Sequence, residues 1–151
     1  MAKKYKLAEQ DLLFVEESDI AFQSIYTPDH SSRYHEKSVL GIEKKSVELI
    51  MKKLQLTFKE MSDLLHISER TYHRYKSTDK MDLSVSEKSL QLDELYRHGR
   101  SVFDTDSDFA SWLKLPSPAL NGKAPISFLT TSFGFNMIHD ELGRIQHGIF
   151  S

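Results

Sequence analysis

The sequence predicts an all-α protein: a helix-turn-helix domain followed by a small second helical domain. Three observations predict it. From Lys44 onward, apolar residues recur three and four apart in successive stretches. No strand-like alternation lasts more than a few residues. The breaks between stretches hold cap and turn formers, such as Asp104-Thr105-Asp106-Ser107 and the Pro-rich run 115–125. A chain of 151 residues is long enough to bury a core without staples, and with no cysteine it has no disulfide or thiolate to use.

Each element has its own signal. Residues 1–25 hold one short mixed segment, Leu12-Leu13-Phe14-Val15, among acids. Residues 26–38 are polar and marked by Pro and Ser, so they read as a linker or mobile loop, with the folded body starting near Val39. Val47, Ile50, Met51 and Leu54 make the apolar face of a first helix. Thr57 followed by Glu60 is a capping box for the next, which presents Phe58, Met61, Leu64 and Leu65 on one side. Ser68 caps a third helix with Tyr72 and Tyr75 turned inward. A fourth starts near Ser84, with a stripe of Val85, Leu92, Leu95, Gly99 and Val102; the Gly99 notch admits another backbone. A short helix carries Phe109, Trp112 and Leu113. Pro125 opens a helix to about Thr130, and Phe135, Ile138, Leu142, Ile145 and Ile149 form the stripe of the last.

Phe58 to Lys76 carries the sharpest pattern. A helix-turn-helix needs a small residue where its helices cross, and Ser62 sits there. Ile67-Ser68 supplies the apolar plug and the cap. His66 stands where a glycine often stands, because the chain there tends toward positive φ. The outward residues Ser68, Glu69, Arg70, His73, Arg74 and Lys76 offer donors for phosphates and guanine edges, and are the candidate DNA-binding set. The same pattern also suits a helical hairpin that only packs.

The net charge of −2 is unevenly spread. Residues 44–80 hold 9 Lys/Arg against 5 Asp/Glu, whereas residues 1–43 hold 5 against 8 and residues 81–151 hold 6 against 9. A basic segment between acidic flanks is what contact with a polyanion needs. An excess of +4 is modest, so dimerisation over two half-sites about 34–36 Å apart would supply the rest of the affinity.

No catalytic constellation emerges, and the protein is expected not to be an enzyme. Gly122-Lys123 lacks the rest of a phosphate loop, Ser101 lacks a nucleophile elbow, and the seven histidines include no His-Glu-x-x-His pattern. No catalytic residue, metal site or cofactor is expected, and the histidines read as solvent-exposed. The basic N-terminus has no apolar stretch behind it and no run approaches membrane-spanning length. The expected location is cytoplasmic, with no membrane partner.

Leu64-Leu65-His66-Ile67-Ser68-Glu69-Arg70-Thr71-Tyr72-His73-Arg74 resembles the helix-turn-helix of Xre/MbcA/ParS-type antitoxins. Further on come Trp112-Leu113, Pro118 to Pro125, Leu129-Thr130-Thr131, Gly134 and Leu142-Gly143-Arg144-Ile145-Gln146-His147-Gly148. This ordered series resembles the family's toxin-binding domain and covers about residues 39–151. Asn121 departs from the family's usual glycine, which an asparagine replaces in a left-handed turn. The resemblance implies an Xre-like helix-turn-helix domain over 39–103, a toxin-binding domain over 104–151 and an N-terminal extension, partly flexible, over 1–38. It implies an antitoxin of a type II toxin–antitoxin system that binds a RES-domain, NAD-degrading toxin and represses its own operon through operator DNA. A homodimer and a hetero-oligomer with the toxin follow.

On that reading the toxin-binding residues are Asn121 and Lys123 in the Pro-bracketed turn, and Asp140, Arg144 and His147 on the outer face of the last helix. Ile149, Phe150 and Ser151 complete the set as an apolar tail ending in a carboxylate that plugs the toxin's active site. Trp112 suits either an interface anchor or the core. Two alternatives remain: a repressor whose C-terminal domain only dimerises, and a neutralising protein whose helix-turn-helix is scaffold.

Overall fold

The computed structural model describes residues 28–148. Seven α-helices carry them: α1 (Pro28–Leu40), α2 (Lys44–Lys53), α3 (Phe58–Leu65), α4 (Glu69–Arg74), α5 (Leu83–Val102), α6 (Asp106–Lys114) and α7 (Ser132–Gln146). Two 3-10 turns, Pro118–Leu120 and Pro125–Phe128, stand between α6 and α7. Among the described residues there is no strand; Glu43 with Lys80, and Ser117 with Lys123, make isolated bridges.

The 20-residue α5 is the spine, about 30 Å long. Helices α1, α2, α3, α6 and α7 all pack on it. That is why its buried residues, among them Val85, Ser89, Leu92, Asp93, Leu95, His98 and Gly99, go around the helix instead of forming one stripe. Asp82 starts it by accepting from the Val85 amide at 2.9 Å. The core against it includes Val47, Ile50, Leu54, Met61, Leu65, Phe109, Leu113, Ile138 and Leu142.

The sequence reading of residues 26–38 as a linker fails from Pro28 onward, where the chain is helical. The physical reason is tertiary. Helix α1 lies along α5, and the Tyr34 hydroxyl donates to Asp93 Oδ2 at 3.1 Å. Asp93 also accepts from Arg97 Nε at 3.0 Å. Burial raises the Asp93 carboxyl above its ordinary value, against the pull of Arg97 and Tyr34. Behind α1, Gly41 turns with φ +75°, and the Ile42 amide donates to Ser86 Oγ. The expected helix from Pro125 to Thr130 is only a 3-10 turn ending at Phe128. Leu12 to Val15 lie outside the described residues.

Two helical glycines are closed by packing. The Gly99 notch receives an aromatic ring and not the expected backbone: a Cβ there would lie 2.4 Å from the Phe109 ring. At Gly134 a Cβ would lie 1.7 Å from the Phe128 carbonyl oxygen. Gly143 has nothing within 4 Å of the same position. Alanine inside a helix is favoured over glycine by about 1 kcal/mol, and overpacking costs about 1–3 kcal/mol or more. Gly99→Ala and Gly134→Ala should therefore destabilise the protein by roughly 1–3 kcal/mol in urea unfolding, while Gly143→Ala should be neutral or stabilising by up to about 1 kcal/mol. Equal midpoints for all three variants would contradict this packing.

Candidate functional site

The expected helix-turn-helix forms as α3, a turn at 66–68 and α4. The capping box closes on both sides: the Glu60 amide donates to Thr57 Oγ1 at 3.2 Å, and the Thr57 amide to Glu60 Oε2 at 2.7 Å. His66 takes the left-handed conformation, φ 57° and ψ 36°. Ser62 is buried at the helix crossing, as its size requires. Ser68 Oγ accepts from the Thr71 amide at 3.0 Å and starts α4. Phe58 is a correction: it is 43% exposed, at the rim, with its ring 5.0 Å from His73 and 5.9 Å from Tyr72.

Ser68, Glu69, Arg70, His73, Arg74 and Lys76 are all exposed, on α4 and its two ends. Arg70 and Arg74 have no ion-pair partner among the described residues, so their guanidinium groups are open to an anion. The far end of α4 is held by a residue sequence reasoning missed. Lys44, nearly buried, donates from Nζ to the Tyr75 carbonyl at 2.9 Å and lies 4.8 Å from the Tyr72 ring centre. Burial, and behind it Glu48, pushes the Tyr72 hydroxyl up to about 12.

The C-terminal half presents a second surface. The Pro-bracketed turn is ordered by its backbone: the Ser117 amide donates to Lys123 O at 3.1 Å and the Gly122 amide to Ser117 O at 2.9 Å. Asn121 adopts φ 55°, the left-handed geometry expected of it. Thr131 caps α7 by accepting from the Gly134 amide at 3.1 Å. Trp112 is half-buried, 5.6 Å from the Phe103 ring and 6.0 Å from Phe109, so it belongs to an aromatic cluster.

Asn121, Lys123, Asp140, Arg144 and His147 are exposed; Ile149, Phe150 and Ser151 lie outside the described residues. Arg144 is engaged by Glu141 at 3.0 Å. On α7, Asp140, Arg144 and His147 continue a line begun by Phe133 and Met137, at helical steps of four, three, four and three. Phe133 is 84% exposed and Met137 48%. Both line an open groove of about 620 Å³, with Lys123, Ala124, Phe128 and Thr130 on its other walls. Phe133 and Met137 were missed in the sequence, although two large apolar residues opposite a buried stripe are the signal that finds them.

The expectation of solvent-exposed histidines fails at His98 and His139. Their rings stack between α5 and α7 with centres 5.1 Å apart, and their Nδ1 atoms are 2.8 Å apart. One Nδ1 must donate and the other accept, so the contact needs at least one neutral ring. Burial, then the neighbouring His139, lowers His98 to about 4; burial also lowers His139.

Two family models match the chain. The antitoxin Xre-like helix-turn-helix domain matches residues 39–92, and the antitoxin Xre/MbcA/ParS C-terminal toxin-binding domain matches residues 98–148. The chain belongs to the Xre/MbcA/ParS antitoxins. It is the toxin-neutralising member of a toxin–antitoxin system and not an enzyme. A "Prs ADP-ribosylating antitoxin" of Sphingobium sp. (strain YBL2) is 29% identical over 122 residues, covering 74% of this antitoxin and 76% of that protein. A chain in the crystal structure of the M. tuberculosis MbcT-MbcA toxin–antitoxin complex shares the fold, with a TM-score of 0.55 and 14% identity over 72% of this antitoxin and 96% of that chain.

The histidine pair gives the antitoxin a pH dependence of known sign. A histidine whose folded value is lowered stabilises the fold fully above its unfolded value of 6.5, and loses that contribution as pH falls toward about 4. The urea midpoint should therefore drop between pH 7.5 and pH 5. The double variant His98→Phe with His139→Phe keeps a stack without titrating, and should drop less; an equal drop would exclude the pair as the cause.

Proposed function

We propose that this antitoxin holds a RES-domain, NAD-degrading toxin inactive and represses its own operon in the cytoplasm. The observation that carries the reading is the pairing of two exposed faces on one chain, the α4 cation face and the α7 groove face. The functional units are residues 39–103, which read operator DNA, and residues 104–151, which hold the toxin, with α1 packed along α5 as part of the folded body. The family models over 39–92 and 98–148 support two units, with the second match beginning at residue 98.

Arg70 and Arg74 supply phosphate or guanine contacts, with Ser68, Glu69, His73 and Lys76 around them. A single α4 is only 6 residues long, so a homodimer placing two such helices in successive grooves supports affinity. On the other face, Phe133 and Met137 supply the apolar centre and Asn121, Lys123, Asp140, Arg144 and His147 the polar surround. That is the anatomy of a protein interface: a desolvated aromatic anchor within a polar rim. Ile149, Phe150 and Ser151 complete it as the tail that enters the toxin's active site. The name of the Sphingobium relative, an antitoxin associated with ADP-ribosylation, supports a toxin that consumes NAD.

Three measurements test the reading. Arg74→Ala should weaken operator binding and lower its salt slope by about 1 if the contact is to phosphate; an unchanged slope with unchanged affinity removes Arg74 from the interface. Phe133→Ala should weaken toxin binding about 30-fold, the effect of a central anchor worth about 2 kcal/mol; wild-type affinity by calorimetry would place the toxin elsewhere. A chain truncated after His147 should lose neutralisation in cells at equal expression, and full protection would refute the tail as the plug.

A further inference from the structure

Helix α4 carries an acid that its own start does not use. On α3, Glu60 closes the capping box; on α6, Asp108 accepts from Thr105 Oγ1 at 2.7 Å and Asp106 from the Tyr96 hydroxyl at 2.9 Å. On α4 the cap is Ser68, whose Oγ accepts from the Thr71 amide and lies 2.8 Å from Thr71 Oγ1. Glu69, the next residue, is exposed and has no hydrogen-bond or ion-pair partner among the described residues.

Four residues of α4 face outward in two rows, Glu69 with His73 and Arg70 with Arg74, each pair one turn apart. The His73 ring is already engaged, 5.0 Å from the Phe58 ring and 5.9 Å from the Tyr72 ring. Arg70 and Arg74 attract an anion, and Glu69 repels one. Against phosphates alone, a carboxylate on this face only weakens binding. Because α4 is 6 residues long, what that charge returns through the helix dipole is small.

Base edges differ from phosphates. In the major groove the cytosine amino group is a donor that a carboxylate accepts. Guanine and thymine offer a carboxylate only acceptors there, and adenine sets an acceptor, N7, beside its amino group. A recognition helix meets base edges with its first residues, which is where Glu69 stands.

We infer that Glu69 is a specificity-determining residue of the operator-reading face: its carboxylate accepts a hydrogen bond from the amino group of one cytosine in each half-site. The inference rests on the proposed function, with operator DNA on α4. Arg70 and Arg74 hold the helix to the duplex, and their attraction offsets the repulsion between Glu69 and the phosphates. At a site without that cytosine the repulsion remains and no bond answers it. Glu69 therefore favours one base pair and disfavours the others. A matched contact of this kind is worth roughly tenfold.

The test uses the full chain and a library of randomised duplexes, selected by binding at fixed salt and sequenced. The parent should enrich cytosine at one position of the half-site. Glu69→Gln should shift that position to adenine, whose N6 and N7 a glutamine amide meets with two bonds, and leave the other positions as they are. A duplex whose cytosine lacks its exocyclic amino group should bind the parent about tenfold more weakly than the intact duplex, and Glu69→Ala should bind both alike. An unchanged preference in Glu69→Gln overturns the inference. So does a loss of affinity that is the same for every duplex, which marks a structural role, and so does a parent that binds duplexes without preferring cytosine. A parent that retains no duplex, with or without toxin, defeats the operator-binding reading itself, and that is visible before any variant is made.

Discussion

The rest of this molecule depends on burying most of the surface of α5. A helix that keeps Ser86, Ser89 and Asp93 out of water along with Leu92 and Leu95 has little solvent face left, at Leu83, Ser84, Glu87 and Ser101. Two of its buried polar residues find partners inside. Ser86 Oγ accepts from the Ile42 amide and donates to the Met81 carbonyl, and Asp93 takes Tyr34 and Arg97. Those demands draw α1 and the connection after it onto the spine. They also place the helix-turn-helix over one stretch of α5 and α6 and α7 over another, so a single helix underlies both matched family regions.

The two exposed faces differ in how they are built. The α4 face is short and depends on what surrounds it: the cap at Ser68, the left-handed turn at His66, and the Lys44 ammonium on its last carbonyl. Lys44 does this while nearly buried, which is tolerable because a carbonyl, a tyrosine ring and Glu48 all stabilise its charge. The α7 face belongs to a 15-residue helix locked at its start by Gly134 against Phe128 and by the Thr131 cap. Its inner side is fully used in the core, so the large apolar side chains on its outer side have no folding role to account for them.

Two of the bonds between the two halves reach functional ground. Lys114 reaches the capping box and His66 reaches the groove wall. Neither bond is buried, so neither dominates stability.

The sequence by itself determined the local structure: the all-helical class, the Thr57–Glu60 box, the cap at Ser68, the left-handed turns at His66 and Asn121, and the stripe of α7. These follow from short-range chemistry, where a side chain meets its own backbone within four residues. The ordered motifs from Leu64 to Gly148 also carried the family. Only the tertiary structure decided that residues 28–40 form a helix, because the partner that stabilises α1 lies 59 residues away at Asp93. It alone paired His98 with His139, filled the Gly99 notch with Phe109, and aligned Phe133 and Met137 with Asp140, Arg144 and His147 beside a groove. Periodicity reports which residues share a face; it cannot report which faces the rest of the chain leaves uncovered.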